Sequence, residues 1–205
     1  LTLLPVPATD SGDGMFYCAY WRTAGQHLPL VAGNDTVRAL ARATRRIRDL
    51  SGDDAVTGLM NEHAFRSVLE HDWAVAARED AVLGLSVFHL DDFERYRDAF
   101  GRHGADSCLR RIAKIVQKHL QRASDVAGRF ETTVGPCIVV LSHGSELPAL
   151  TDFDERIGKA VRSLGLHHPR STVDRFVTVS HRSRAYQPRA MRGSCGEALG
   201  RLLRG

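Results

Sequence analysis

Hydrophobic positions downstream of residue 54 alternate between helical spacing and strand-length runs. Three sets of apolar residues recur every three or four positions, and each set predicts one amphipathic helix. The sets are Phe65, Val68, Leu69, Trp73 and Ala76; Leu109, Ile112, Ala113 and Val116; and Phe153, Ile157, Ala160, Val161 and Leu164. Apolar runs at 82–90, 137–141 and 176–180 have the length of strands. This alternation predicts an α/β or α+β domain in which helices cover a sheet.

The first 53 residues follow a different pattern. Two short strand-like runs, at 15–21 and 28–31, are separated by turn residues and predict a β-hairpin within residues 1–33. We interpret it as a hairpin or the tail of an upstream sensor module. Helical spacing then predicts a connecting helix over 34–53, either packed on its own domain or forming a coiled coil. The main domain is therefore expected at 54–205, in a chain that is part of a longer protein.

Composition and charge narrow the classes of protein to which this chain can belong. Hydrophobic residues make up 43% of the chain and charged residues 25%, as in soluble globular proteins. No apolar run approaches the ~20 residues of a membrane span. The net charge is +4, but the arginines are dispersed, so we expect no nucleic-acid binding. Four widely spaced cysteines without a Cys-x-x-Cys pair suggest reduced thiols and a cytoplasmic location.

Several segments share residues and spacing with one known family. Residues 54–65 read Asp-Ala-Val-Thr-Gly-Leu-Met-Asn-Glu-His-Ala-Phe, which agrees at six positions with the motif Asp-x-Leu-Thr-Gly-Leu-x-Asn-Arg-Arg-x-Phe. Six later positions also agree: Phe93, Asp98, Phe100, Gly101, Asp106 and Leu109. The chain thereby resembles the GGDEF domain of diguanylate cyclases. The resemblance implies a palm-like fold related to adenylyl cyclases, with a central, mostly antiparallel sheet flanked by helices.

The resemblance also implies an enzyme that joins two GTP molecules into cyclic di-GMP with magnesium, but the metal-binding positions differ. In the family, the first Asp of Asp-x-Asp-x-Phe and an acidic residue of Gly-Gly-Asp-Glu-Phe hold the metal. The first position is His89 here, and the signature is replaced by Glu131-Thr132-Thr133-Val134-Gly135. Neutral imidazole is a poor magnesium ligand, and Thr133 and Val134 supply no carboxylate. We therefore expect no catalytic residues and no cofactor, with magnesium only if the chain is an enzyme.

Other nucleotide contacts implied by the resemblance are also changed. The family's phosphate-binding lysine falls at Glu94, its guanine-reading asparagine at Arg97, and a late lysine near Leu203. Asp106, the other guanine-reading position, matches. We interpret five residues as remnants of a nucleotide pocket: His89, Asp91, Glu94, Arg97 and Asp106.

One candidate ligand site is retained in sequence. Arg122-Ala-Ser-Asp125 precedes the altered signature by five residues, which is the spacing of the family's Arg-x-x-Asp product-inhibition motif. A guanidinium suits a phosphate or a guanine edge, and a carboxylate can accept from guanine N–H groups. Arg122 and Asp125 are therefore candidates for binding cyclic di-GMP. The alternative is a surface Arg–Asp ion pair.

Three hypotheses for function follow. The first is a catalytically inactive regulatory domain of a bacterial cyclic di-GMP signalling protein, acting through protein partners or a homodimer and binding cyclic di-GMP. The second is an active or weakly active diguanylate cyclase that uses His89, Asp91 and Asp106. The third is a purely structural dimerisation scaffold.

Overall fold

The computed structural model of the protein describes residues 2–6, 16–20, 52–191 and 193–204. Strands β1 (Thr2–Val6) and β2 (Phe16–Tyr20) pair antiparallel. They belong to a compact unit distinct from the one that contains residues 52–204. The strand β2 lies within the run predicted at 15–21, but its partner is β1. The predicted strand at 28–31 and residues 34–51 of the predicted connecting helix lie outside the described residues.

A four-stranded antiparallel sheet forms the centre of the second unit. Its strands are β3 (Leu83–Leu90), β4 (Val126–Thr132), β5 (Gly135–His143) and β6 (Val179–Tyr186), in the order β4-β5-β3-β6. All neighbouring strands run antiparallel. In β3, Val87 lies opposite Val139 on one side and Arg182 on the other. Every residue of β3 except His89 is buried, as a run of apolar residues in a central strand predicts.

Helices cover both faces of this sheet. They are α1 (Glu62–Glu79), α2 (Phe93–His119), α3 (Leu147–Ser163) and α4 (Cys195–Arg204), with a short 3-10 turn at Pro188–Ala190. Successive strand residues point to opposite faces, so Val87 belongs to the core beneath α1 and α4, whereas Phe88 belongs to the core beneath α2 and α3. The predicted fold class is confirmed. Within the described part of the chain, no helix is both long and apolar enough to cross a membrane.

The ends and the bend of the helices follow from local chemistry. Asn61 precedes α1 and accepts a hydrogen bond from the Ala64 N–H (2.8 Å), and Asp80 ends the helix with a left-handed backbone (φ 58°). Gly101 breaks the regular geometry of α2 with φ 69° and ψ 177°. A glycine adopts this conformation without the clash that a Cβ would introduce. The kink divides α2 into a short first segment and a longer second one.

A second glycine sets the distance between α1 and the sheet. A Cβ at Gly128 of β4 would lie 2.8 Å from the Phe65 ring and 2.9 Å from its Cβ. Phe65 is completely buried there and makes an edge contact with Phe130, with ring centroids 5.4 Å apart. The absence of a side chain at Gly128 therefore allows α1 to pack closely on β4.

Three elements differ from the sequence-based predictions. Neither β4 nor α4 was predicted, because β4 contains a glycine and polar residues, and α4 spans only ten residues with two glycines. The strand predicted at 176–180 begins instead at Val179 and continues to Tyr186. The partner strand explains this shift. Because β3 ends at Leu90, opposite Val179, the residues before Val179 have no β3 residue with which to continue the strand pairing.

A buried carboxyl lies between α3 and the sheet. Asp154 is fully buried in α3, and neither carboxyl oxygen has a hydrogen bond of good geometry within the described structure. Burial raises the pKa of Asp154, while the nearby Ser86 and Ser183 hydroxyls and His181 act in the opposite direction. An ionised carboxylate is costly in such a position, so Asp154 favours its protonated form more than an ordinary aspartate does.

Candidate functional site

A pocket of about 460 Å³ lies where β3 ends. Its walls are formed by residues 89–95, by residues 180–182 of β6, by Val134 and Val173, and by the last turn of α4. This volume is in the range of small-molecule sites. The pocket brings together His89, Asp91 and Glu94 from the predicted remnants, whereas Arg97 and Asp106 do not line it.

Asp91 holds the start of β6 against the end of β3. Its carboxylate accepts hydrogen bonds from the Thr178 hydroxyl (Oγ1–Oδ2, 2.6 Å) and from the Ser180 hydroxyl (Oγ–Oδ1, 2.6 Å). Its N–H also donates to the Thr178 carbonyl at 3.1 Å. We call this group of three residues the Asp91 clasp. One carboxylate oxygen is thus engaged by the residue that precedes β6 and the other by the second residue of that strand.

Asp92 fixes a second segment in the same way. It has a left-handed backbone (φ 52°), and its Oδ2 accepts from the Thr172 N–H (2.7 Å) and the Thr172 hydroxyl (2.8 Å). These hydrogen bonds lower the pKa of Asp92. The Asp92 carbonyl lies 3.1 Å from His168 Nε2. The second carboxylate at the pocket therefore anchors the loop before β6.

His89 occupies the position that the resemblance assigns to a metal ligand. Partial burial lowers its pKa, and the positive charge of Arg182 lowers it further, while Asp91 opposes the change. The His89 Nδ1 atom has no hydrogen-bond partner among the described residues. The imidazole is accordingly neutral near pH 7.

The remaining predicted remnants lie on α2. Glu94 forms an ion pair with Arg97 on the exposed first turns of the helix. Asp106 lies beyond the kink at Gly101 and has the Arg102 guanidinium 3.8 Å away. The resemblance assigns Arg97 and Asp106 to guanine reading. Each of them has its oppositely charged neighbour on the same helix, Glu94 for Arg97 and Arg102 for Asp106.

The altered signature forms the turn between β4 and β5. The Thr132 hydroxyl donates to the Gly135 carbonyl (2.8 Å), and Glu131 pairs with Arg129 at 2.7 Å. Val134 is 72% exposed and is the residue of this turn that lines the pocket. The turn therefore presents an apolar side chain where the resemblance implies an acidic one.

The donor set of this pocket does not fit magnesium. Magnesium requires hard oxygen ligands in octahedral geometry. His89 is neutral, and Val134 has no ligand atom. The three carboxylates of the pocket are engaged by the protein: both oxygens of Asp91 accept from hydroxyl groups, Asp92 accepts from Thr172, and Glu94 pairs with Arg97. Across residues 52–191 and 193–204, no three His, Cys, Asp or Glu side chains are grouped so that they could hold a metal ion.

The predicted cyclic di-GMP residues lie in the turn between α2 and β4. Asp125 is only 9% exposed, and its carboxylate accepts from three backbone N–H groups: Gln121 (3.3 Å), Arg122 (3.0 Å) and His143 (3.2 Å). Arg122 is exposed and donates to the Ser145 hydroxyl at 3.3 Å. The two side chains do not form an ion pair. Asp125 stabilises the turn, while the Arg122 guanidinium faces outward.

The loop that precedes α1 is held by a separate network. Asp54 accepts from the Thr57 N–H (2.8 Å) and hydroxyl (2.7 Å), and it pairs with Arg129 of β4 at 3.1 Å. Partial burial alone would raise the pKa of Asp54, but the Thr57 hydrogen bonds and Arg129 together lower it. The family-like residues of this loop therefore attach it to the sheet.

Sequence reasoning missed two arginines of the pocket, Arg182 and Arg204. Arg182 shares a strand face with Ser180, which lies opposite His89. Alternation along 180–186 could have revealed this face if the strand had been placed correctly. Arg204 follows Leu203, the position assigned to the family's late lysine.

A family model described as "Diguanylate cyclase, GGDEF domain" matches residues 51–193. The chain belongs to the GGDEF family. Among curated relatives, it is 34% identical over 114 residues to diguanylate cyclase DgcP of Pseudomonas aeruginosa. That aligned stretch covers 56% of this chain and 16% of DgcP. It is 27% identical over 128 residues to cyclic di-GMP phosphodiesterase PdeR of Escherichia coli. Here the aligned stretch covers 62% of this chain and 18% of PdeR. The chain thus spans less than a fifth of either relative.

Solved GGDEF structures share the fold. The coiled coil and GGDEF domain of DgcB from Caulobacter crescentus, solved with c-di-GMP, has a TM-score of 0.64 at 22% identity, covering 82% of this chain and 85% of that one. The FimX GGDEF domain from Pseudomonas aeruginosa has a TM-score of 0.61 at 19% identity, and the match covers 74% of this chain and 88% of the FimX domain. At these identities the likeness supports the GGDEF architecture alone.

Proposed function

We propose that this chain is a catalytically inactive GGDEF domain that regulates a cyclic di-GMP signalling protein through protein contacts. The single observation that carries the proposal is the Asp91 clasp beside His89. Joining two GTP molecules requires a divalent cation that neutralises the triphosphate and activates the attacking hydroxyl. The pocket offers a neutral imidazole at the position of the first metal ligand, a valine in the turn, and three carboxylates, Asp91, Asp92 and Glu94, that are already engaged by protein donors.

The relatives support the signalling context. DgcP is a diguanylate cyclase and PdeR is a cyclic di-GMP phosphodiesterase. Segments similar to this chain therefore occur both in a protein that makes cyclic di-GMP and in one that hydrolyses it. The present chain has the fold of such a segment without a donor set for its metal. A regulatory contribution to a longer protein accounts for both observations.

The test is incubation of the purified protein with GTP and Mg²⁺, followed by chromatographic quantification of cyclic di-GMP. We expect no product above an EDTA control. His89→Asp is the matched variant, and we expect it to remain inactive because Val134 and Glu94 are unchanged. Magnesium-dependent product from the unmodified chain would overturn the proposal and establish the active-cyclase alternative.

We propose cyclic di-GMP binding at Arg122 as a second part of this function. The observation in favour is an exposed guanidinium whose one hydrogen bond within the described residues, to Ser145, is long and exchangeable. Asp125 contributes by holding the turn, since three backbone N–H groups already donate to its carboxylate. Recognition would then rest on Arg122, with Asp125 as a positioning residue.

Calorimetric titration with cyclic di-GMP tests this second part. Arg122→Ala should weaken binding by at least about tenfold, the usual cost of a charge-assisted hydrogen bond. Arg110→Ala is the control, because Arg110 is also exposed and forms no ion pair within the described residues. Absence of binding, or equal losses in both variants, would refute this part and favour the scaffold hypothesis.

A further inference from the structure

The part of α2 that follows its kink carries a row of basic side chains on the face opposite its buried residues. Residues 107–124 contain no Asp or Glu. Arg110, Lys114 and Lys118 follow one another at intervals of four residues, so they lie in one row along the helix, and Arg111 lies beside that row. All four residues are exposed. We call them the basic stripe.

The basic stripe differs from the other helices in how its charges are paired. In α1, α3 and α4, an acidic and a basic residue four positions apart form an ion pair. These pairs are Glu62 with Arg66, Glu155 with Lys159, and Glu197 with Arg201. No residue of the basic stripe has an ion pair with any part of the chain that the structure describes. Like charges four residues apart destabilise a helix about as much as opposite charges stabilise it, so the stripe lowers the stability of α2.

The charge of the stripe favours an anionic lipid surface as its partner. Arg110 and Lys118 are eight residues apart, so the row is about 12 Å long. An exposed ion pair with a protein carboxylate changes affinity by less than about fivefold and requires that carboxylate in one fixed place. A Lys or Arg near an anionic lipid surface gains about fivefold from each charge, since such head groups are present across the whole surface. Four such residues give roughly several hundredfold in affinity.

The side chains around the stripe indicate how such a surface would be contacted. The other exposed residues along this face, Gln117 and Gln121, are polar. A helix that inserts into lipid carries Leu, Phe or Trp on the inserted face, and a surface for single-stranded nucleic acid interleaves aromatic side chains that stack on bases. Neither kind of side chain lies among the residues of the stripe. Its composition therefore fits adsorption to head groups through charge.

We propose that the basic stripe of α2 holds this domain on an anionic lipid surface by electrostatic attraction, without insertion into the lipid. Helices α1 and α4 cover the opposite face of the sheet, so they would point away from the lipid and could contact protein partners. This inference goes beyond the proposed function, because a domain can regulate a signalling protein with or without touching a lipid surface.

The experiment is co-sedimentation of the purified protein with vesicles of two parts phosphatidylcholine and one part phosphatidylserine. We expect binding to these vesicles, none to pure phosphatidylcholine, and release as NaCl is raised. The double variant Lys114→Gln and Lys118→Gln should bind about 25-fold more weakly. The double variant Arg78→Gln and Arg184→Gln is the matched control, since it removes the same charge from exposed residues on the α1 side of the sheet.

A single substitution separates lipid binding from folding. Lys114→Glu places a carboxylate four residues from both Arg110 and Lys118, so it should raise the melting temperature slightly. The same change reverses one charge of the stripe and should weaken vesicle binding by about 25-fold. A variant that is more stable and yet binds less cannot have lost binding through unfolding.

Four results of the vesicle assay would overturn the proposal: no binding to the anionic vesicles, equal binding to pure phosphatidylcholine, binding that salt does not weaken, or an equal loss in the control variant. Tighter binding to a single-stranded oligonucleotide or to polyglutamate at the same salt would also overturn it and assign the stripe to nucleic acid or to an acidic protein. Missing vesicle binding would refute only this inference, whereas cyclic di-GMP formation would refute only the inactivity of the domain.

Discussion

The loop at residues 54–65 and the pocket segment at residues 89–95 both align with GGDEF positions, yet they differ in what they retain. In the loop, Asp54 and Thr57 match the family; Thr57 donates to Asp54, and Asp54 also pairs with Arg129 of β4. In the pocket, the resemblance aligns His89 with a metal-binding aspartate, and Asp91 accepts a hydrogen bond from Ser180 of β6. The matching residues of the loop therefore hold the fold, whereas His89 does not match the residue that the resemblance places at the pocket.

The largest expected effect is the loss of the buried ring that attaches the loop's helix to the sheet. Phe65→Ala should lower the free energy of unfolding by about 3–5 kcal/mol, because it leaves a cavity beside Gly128 and Phe130. Urea denaturation followed by circular dichroism measures this change. Phe100→Ala, at a side chain that is 45% exposed, should cost less than about 1 kcal/mol. Similar costs would show that α1 is not anchored through Phe65.

The second prediction examines the pocket. Asp91→Ala should destabilise the fold by about 2 kcal/mol, because the Thr178 and Ser180 hydroxyls lose a charged acceptor. Glu94→Ala is the control within the same pocket, and removal of its exposed ion pair with Arg97 should cost less than about 0.5 kcal/mol. Equal urea midpoints for the two variants would mean that Asp91 is not structural and would reopen a role in chemistry.

The third prediction uses pH to examine the loop. Asp54→Asn should cost about 1–2 kcal/mol at pH 7, since it weakens the contacts with Thr57 and Arg129. The folded pKa of Asp54 is lowered, so its stabilisation is present above the unfolded pKa and is lost as pH falls through the folded value. The gap between the variant and the unmodified chain should therefore close in acid. A gap that is constant with pH would contradict this account.

The smallest effect is expected at Asp154, on the sheet face opposite the His89 side chain. Its folded pKa is raised, so ionisation of the unfolded chain destabilises the protein as pH rises above the ordinary carboxyl range. Asp154→Asn should stabilise the fold by about 1 kcal/mol at pH 7, where its amide can donate to Ser86 or Ser183, and the gain should vanish near pH 3. Thermal melts across pH measure it, and destabilisation at pH 7 would contradict it.

Periodic apolar residues made much of the fold predictable. The stripe from Phe65 to Ala76 forms one face of α1, and the run at 82–90 forms the central strand β3, because burial against a single core imposes these periods. The strand β4 was missed because its sequence Val-Ala-Gly-Arg-Phe-Glu-Thr includes Arg129 and Glu131, whose charges pair with one another. Tertiary pairing compensates for a weak local pattern there.

The site was predictable only in part. His89, Asp91 and Glu94 follow one another along the chain, so a strand end predicts their proximity. The hydroxyl partners of Asp91 lie 87 and 89 residues away, and no local signal connects them. Arg182 and Arg204 enter the pocket through the pairing of β6 with β3 and the packing of α4, which sequence spacing does not reveal.

The Asp91 clasp also links the pocket to the stability of the sheet edge. Any cation that drew Asp91 into its own coordination would have to take it from Thr178 and Ser180, and the first residues of the edge strand β6 would lose their attachment. Occupation by a metal would therefore be opposed by the stability that these two hydrogen bonds give to the start of the strand.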